Sequence, residues 1–230
     1  MIRELGHFLW HAPATLRLKR RLPQDELYQV VMQRWGAAGL DARRAELVGD
    51  LTGEILEIGA GTGLMFPHYG PAAQVTAIEP DAAFSAHARE LAGRVPARIE
   101  VVDGHGESLP FANARFDAAV LTLVLCSVTS EQAVLGELRR VLRPGGTVRL
   151  IEHVRSPRRV AGWLMDRFDG VWLRLNAQGC HMNRDPVAAL AAAGFEVTRV
   201  DPFQIYSPGL PAFPLRMLEA RAPSAPPSLA

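Results

Sequence analysis

The chain is short of most things that mark a secreted, membrane-spanning or nucleic-acid-binding protein. Its 230 residues include two cysteines, Cys126 and Cys180, far apart and without the short spacings that set metal ligands side by side. Two reduced thiols are expected, with no disulfide and no metal, and hence a reducing, cytoplasmic setting. Excess charge of one sign is missing too: 25 Lys and Arg against 24 Asp and Glu leave a net charge of +1, and no basic stripe is offered to nucleic acid. No run reaches the ~20 apolar residues of a membrane span. The segment Met1 to Arg21 is charged at both ends and lacks the apolar centre of a signal peptide. What the chain does have is 48% hydrophobic content, enough to cover both faces of a sheet in one domain.

The most informative stretch is Glu54-Ile55-Leu56-Glu57-Ile58-Gly59-Ala60-Gly61-Thr62-Gly63, a short apolar strand that runs into three glycines at alternate positions. Glycine tolerates unusual φ/ψ there and leaves no Cβ between backbone and ligand, while the amides of a following helical turn face an anionic group. About 20 residues on, a second apolar strand, Gln74 to Ile78, ends at Glu79, where an acidic side chain can grip a ribose diol. Together they point to a nucleotide-like ligand. The dinucleotide fingerprint needs its third glycine one place later, where Leu64 stands, which argues against NAD.

Helical spacing predicts helices over 24–35 and 41–48, forming a cap over residues 1–50. The main domain, 51–221, reads as strand 54–58, short helix 64–69, strand 74–79, helix 82–93, strands 99–102 and 116–121, helix 130–142 and strand 147–152. Strands alternating with helices call for parallel pairing with right-handed crossovers. An insertion at about 155–183 places Trp163, Leu164, Phe168, Trp172 and Leu175 at helical intervals. After it, Asp185-Pro186 opens helix 186–193, Gly194 ends it, and strands follow over 195–200 and about 213–220. The Pro- and Ser-rich tail, 222–230, is expected to fray.

The spacing Glu57-x-Gly59-x-Gly61-x-Gly63 resembles the first motif of the class I S-adenosylmethionine-dependent methyltransferases. Glu79-Pro80-Asp81 is similar to their second motif, Gly104-His105-Gly106-Glu107-Ser108-Leu109-Pro110-Phe111 to the adenine-flanking loop, and Phe116 to Leu121 to the fourth strand. Leu138 to Gly146 is similar to the helix end and turn before the fifth, and the resemblance covers roughly residues 50–200. It implies a Rossmann-like α/β fold: seven strands, mostly parallel, the last inserted antiparallel, with helices on both faces. Three further segments, Leu123 to Val128, Glu152-His153-Val154 and Gly179-Cys180-His181-Met182-Asn183-Arg184, resemble the methyltransferase-like 7 group of thiol methyltransferases and bacterial relatives of the methyltransferase type 11, UbiE-like kind. Unlike the animal members of that group, this sequence shows no long apolar N-terminal anchor.

The resemblance implies S-adenosylmethionine as cofactor and S-adenosylhomocysteine as its product. The methionine carboxylate would lie on the amides of Gly59, Ala60, Gly61 and Gly63, the ammonium near Glu57, the ribose on Glu79, and the adenine between Pro80 and the loop of Gly106 and Glu107. His105 stands where many relatives carry Asp. Thr122 and Leu123 would bring backbone carbonyls to the methyl. Ligand crevices of this fold lie outside the carboxyl ends of the strands, so Trp163, Phe168 and Trp172 of the insertion are expected to roof the acceptor, with Trp10 a further candidate. The candidate bases are His153 and His181, the latter with Asp185. Cys126 and Cys180 are taken as packing thiols rather than nucleophiles.

The expected function is methyl transfer to a small, largely apolar acceptor. A thiol is the first choice, because it is partly thiolate near neutral pH and needs little machinery. The alternative is N-, O- or C-methylation of a phospholipid or quinol at a membrane surface. Arg155, Arg158 and Arg159 would then meet headgroups, and the N-terminal mix of Phe8, Leu9, Trp10 and Leu16 with basic residues would give peripheral membrane contact. A reading from another class is a non-catalytic protein that only binds the cofactor. No oligomeric state is expected in particular.

Overall fold

The computed structural model describes residues 24–175, 179–205 and 214–224. Helix α1 (Gln24–Trp35) continues through a π-helical turn (Gly36–Leu40) into α2 (Asp41–Val48). Strand β1 (Gly53–Ile58), a 3-10 turn (Phe66–His68), β2 (Ala73–Glu79), α3 (Ala82–Ala92), β3 (Arg98–Asp103) and β4 (Phe116–Thr122) follow. Then come α4 (Glu131–Val141), β5 (Leu142–His153), α5 (Arg159–Leu175), α6 (Pro186–Ala192), β6 (Glu196–Gln204) and β7 (Pro214–Arg221).

The seven strands form one sheet in the order β3-β2-β1-β4-β5-β7-β6. The first five are parallel, and β7 runs antiparallel to both β5 and β6. The buried parallel strands are apolar on both faces, as a sheet covered on both sides must be. Ile55, Val75, Val120 and Ile151 face Trp35, Leu40, Leu47 and Val48 of the N-terminal helices. Leu56, Ile58, Leu121 and Leu150 face Val134, Leu135, Leu138 and Leu190 of α4 and α6. The described helices over 24–48 thus pack into the sheet's own core.

Register matters most for the site. Ile58 pairs with Ile78 and Leu121, Glu79 with Asp103, and Thr122 with Ile151, so the parallel strands end at one edge. Chain order reverses between β1 and β4, and the crevice at that switch point is where such sheets bind ligands.

Two expectations are corrected. Residues 64–69 do not form a helix; only Phe66–His68 makes a 3-10 turn. Pro67 has no amide to donate into a continuing helix, and Tyr69 is extended. The tail does not begin at residue 222 either: Ala222 is buried and donates its amide to the Gly146 carbonyl at 2.8 Å.

Candidate cofactor and acceptor site

A cavity of about 370 Å³ opens at the switch point. Gly59, Gly61, Glu79 and Pro80 line one side, and His105, Gly106 and Glu107 another. Thr122 and Leu123 reach it from the end of β4. Glu57, Ala60 and Gly63 are not part of its lining.

Glu79 organises the glycine turn. It is buried; one carboxylate oxygen accepts the Gly61 amide at 2.8 Å and the other the Asp81 amide at 3.0 Å. Burial raises its pKa while those two amides pull the other way. Each oxygen keeps a lone pair, enough to accept from two ribose hydroxyls. Gly61 sits at φ +56°, and a Cβ there would come within 3.2 Å of the Tyr28 hydroxyl. At Gly59 a Cβ would strike Val124 at 2.6 Å. The turn therefore has no room for side chains. Leu123 is at φ +60°, an uncommon conformation for leucine, held by its amide's bond to the Ile151 carbonyl at 2.7 Å. Strain of this kind beside a crevice suits a backbone placed for function.

Glu57, expected beside the ammonium, is absent from the lining of this cavity and does not face solvent. It is 2% exposed and accepts the Tyr69 hydroxyl at 2.8 Å, and burial pushes its pKa up to about 8, leaving the carboxyl mainly protonated at neutral pH. Period-2 geometry puts it on the same face as Ile55, against the helices. Glu107 is committed to structure as well, with one oxygen accepting the Thr129 amide at 3.0 Å. Tyr28 was missed by sequence reasoning. It stacks on Phe84 with ring centroids 5.0 Å apart, and both rings line the cavity. Burial pushes the Tyr28 phenol up to about 12, so it remains a hydroxyl donor. Helical periodicity drew attention to Leu27, Val30 and Val31, and no local signal aimed Tyr28 at the glycine turn.

Beyond β5 the candidate bases part company. His153 ends that strand, 3% exposed, with ring nitrogens 3.3 and 3.7 Å from the Cys180 sulfur. Burial works against its protonation, but Cys126, Glu152 and Asp169 outweigh it and raise the pKa. Its neighbour Glu152 points into the loop after β4 and accepts the amides of Val124 and Leu125 at 2.8 Å and of Cys126 at 3.4 Å. His181 does not pair with Asp185. Its Nδ1 lies 2.7 Å from Asp169 Oδ2 on α5, and Asp169 Oδ1 accepts the Met182 amide. Asp185 is the N-cap of α6, accepting from Ala188, so its carboxylate serves the helix.

The insertion is helical as expected, and its aromatic side chains are not among those that line this cavity. Trp163 is 60% exposed and Phe168 51%, in a row with Val160, Leu164 and Val171. Neither ring is among the residues that line the described cavity. Trp172 is half-buried and also lies off the cavity lining. Trp10 lies outside the described residues.

Comparison with known proteins gives this arrangement its relatives. The methyltransferase domain family matches residues 56–150. Human thiol S-methyltransferase TMT1B is 32% identical over 174 residues, covering 70% of this chain and 71% of that protein. The chain belongs to the S-adenosylmethionine-dependent methyltransferases. Rat thiol S-methyltransferase TMT1B is 33% identical over 64% of the chain, which spans 62% of that relative's length. The ubiquinone/menaquinone biosynthesis C-methyltransferase UbiE of Paracoccus denitrificans is 33% identical over 119 residues, 50% of this chain and 48% of its own. Among solved structures, a SAM-dependent methyltransferase from Methanosarcina mazei superposes with a TM-score of 0.62 at 20% identity, over 76% of this chain and 94% of that one. The [4+2]-cyclase SpnF does so equally well, at 0.62 and 21% identity over 82% of each chain. Fold alone therefore does not name the reaction.

The methyltransferase's cavity fits its cofactor on its own geometry. The glycine turn leaves bare backbone, Glu79 offers paired acceptors at ribose reach, and Tyr28 with Phe84 supplies an aromatic wall.

Proposed function

We propose that this methyltransferase acts on the sulfur of a small, largely apolar thiol. The observation that carries the reading is the reach of the similarity to TMT1B. It covers 70% of this chain and 71% of that protein, whereas the match to UbiE covers only 50% and 48%. S-adenosylmethionine supplies an electrophilic methyl on a sulfonium, and the rest of the catalysis is position: the acceptor must approach in line, opposite the departing sulfur. The strained Leu123 backbone and Thr122 border that approach. A thiol ionises without much help, which agrees with His181 held by Asp169 and Asp185 used as a cap.

The test is a panel of thiols, amines, phenols and quinols with labelled cofactor. S-methyl products are expected, with kcat/KM rising with pH along each thiol's own ionisation. Methylation of quinols or phospholipids without thiols overturns the reading, and cofactor binding with no turnover on any acceptor leaves a binding protein. A hundredfold loss in His181→Ala with cofactor affinity retained points to a protein base, and so to an amine, phenol or quinol.

A second reading rests on the exposed row Val160, Trp163, Leu164, Phe168 and Val171. An amphipathic face of this kind, beside Arg158 and Arg159, suits a lipid surface and would give access to membrane-dissolved acceptors. Sedimentation with anionic vesicles, lost in a Trp163→Ser/Phe168→Ser double variant, supports it; no sedimentation of the unaltered protein removes it.

A further inference from the structure

Three groups that are remote in sequence meet beside the end of β5. Cys180 Sγ lies 3.1 Å from Cys126 Sγ and 3.3 Å from His153 Nε2, and the donor atoms of all three residues fall within 4.8 Å of one another. Each comes from a different one of the three segments that carry the narrower resemblance, and the frame around them is built from other groups. Glu152 holds the amides from Val124 to Cys126, the His181 amide donates to the Cys126 carbonyl at 2.8 Å, and Asp169 holds Met182 and the His181 ring. None of these bonds uses a sulfur or the His153 ring, so the backbone at all three positions is set independently of what their side chains bind.

The geometry points to a binding site for one soft divalent cation, zinc by preference, with Cys126 Sγ, Cys180 Sγ and a His153 ring nitrogen as ligands. A tetrahedral ion with Zn–S near 2.3 Å and Zn–N near 2.0–2.1 Å sets sulfurs about 3.8 Å apart and sulfur to nitrogen about 3.5 Å. The sulfur pair has to open by less than about 1 Å, and the third edge, Cys126 Sγ to the His153 nitrogen, lies within 4.8 Å and has to settle near about 3.5 Å, adjustments that small χ1 rotations of the two cysteines provide. Two thiolates with one imidazole select zinc over magnesium or calcium, which prefer oxygen. Cys126 and His153 are buried and Cys180 is half-buried, so the fourth position opens past Cys180 and takes a water. Such an ion would tie the insertion to the end of β5 and to the loop after β4, whose Val124 and Ser127 line the cofactor cavity. The site does not depend on the acceptor being a thiol.

The experiment is titration of the reduced, chelator-treated full chain with Co²⁺ and then Zn²⁺. Expected are about one equivalent of tight binding, a sulfur-to-cobalt charge-transfer band with tetrahedral d–d absorption, displacement of both by zinc, and a rise in Tm with zinc. Cys180→Ser, the least buried change, should weaken binding at least tenfold and lower the charge-transfer intensity. The proposal is overturned if the reduced protein, its two thiols titratable, takes up no cobalt or zinc. It is equally overturned if the bands persist unchanged in Cys180→Ser and Cys126→Ser, or if reduced protein re-forms a Cys126–Cys180 disulfide in the presence of zinc. The titration of the unaltered chain decides even if a variant fails to fold.

Discussion

The two ends of the site are built differently. At the cofactor edge, the parts sit within short stretches: the glycine turn directly after β1, Glu79 at the last residue of β2, Thr122 and Leu123 at the end of β4. Beyond β5, the contacts among the candidate groups join separate segments: Asp169 to His181, Glu152 to the loop after β4, Cys126 to Cys180 and His153. The first region is specified by backbone conformation at a strand's end and changes little with its surroundings. The second exists only when α5, β5 and two loops are docked together. Damage at the cofactor edge should therefore be local and deep, and damage beyond β5 shallower and spread over stability, pH response and acceptor use.

The largest expected effect breaks the cofactor edge. Gly61→Val places a β-branched side chain at φ +56° and against the Tyr28 hydroxyl, and S-adenosylmethionine affinity should fall by a hundredfold or more in a folded domain. Calorimetry on a variant of unchanged circular dichroism checks this, and unaltered affinity would refute the placement. Next is Glu79→Ala, which removes the ribose acceptor and the tie to the Gly61 amide. A loss of about 1.5–3 kcal/mol, or roughly 10- to 150-fold, is expected. A change smaller than threefold means Glu79 does not hold the ribose.

A third measurement sharpens the comparison through pH. Glu57 has a folded pKa of about 8, above its ordinary value of 4.5, so the fold favours its protonated form. That contribution is complete below about pH 4.5 and declines as pH rises to about 8, because the unfolded chain loses the proton first. Glu57→Gln keeps an acceptor for Tyr69 without the proton, so its Tm should fall less than that of the unaltered protein between pH 5 and about 8. Parallel Tm curves for the two proteins would show that Glu57 is ionised in the fold.

The smallest effect is expected on α5. Trp163→Ala and Phe168→Ala remove side chains exposed at 60% and 51%, so stability should change by no more than about 0.5 kcal/mol and cofactor affinity by less than about twofold. Acceptor KM for a soluble thiol should also hold within about twofold. A tenfold rise in that KM would return these rings to the acceptor pocket.

Strand positions were legible to within a few residues because period-2 burial and strand-ending glycines are local. Asp185-Pro186 announced α6 because a cap followed by proline is a local device. The errors share one cause. Nearness in sequence pairs Asp185 with His181, while Asp169 reaches that ring through space. Helical spacing puts Trp163 and Phe168 on one face of a helix and says nothing of what that face meets. The cysteines looked unaccompanied for the same reason.

By itself the sequence determined the doubly covered sheet, the glycine turn and the acidic strand end, and with them the cofactor, since each follows from residue type at fixed spacing along one or two strands. Only the tertiary structure decided that Glu57 is a buried carboxyl under Tyr69, that Tyr28 stands over the turn, and that the apolar row of α5 faces outward. It alone brought two thiols and an imidazole together. Those outcomes depend on how separate elements dock, and docking is governed by burial of surfaces drawn from the whole chain, a quantity no short spacing encodes.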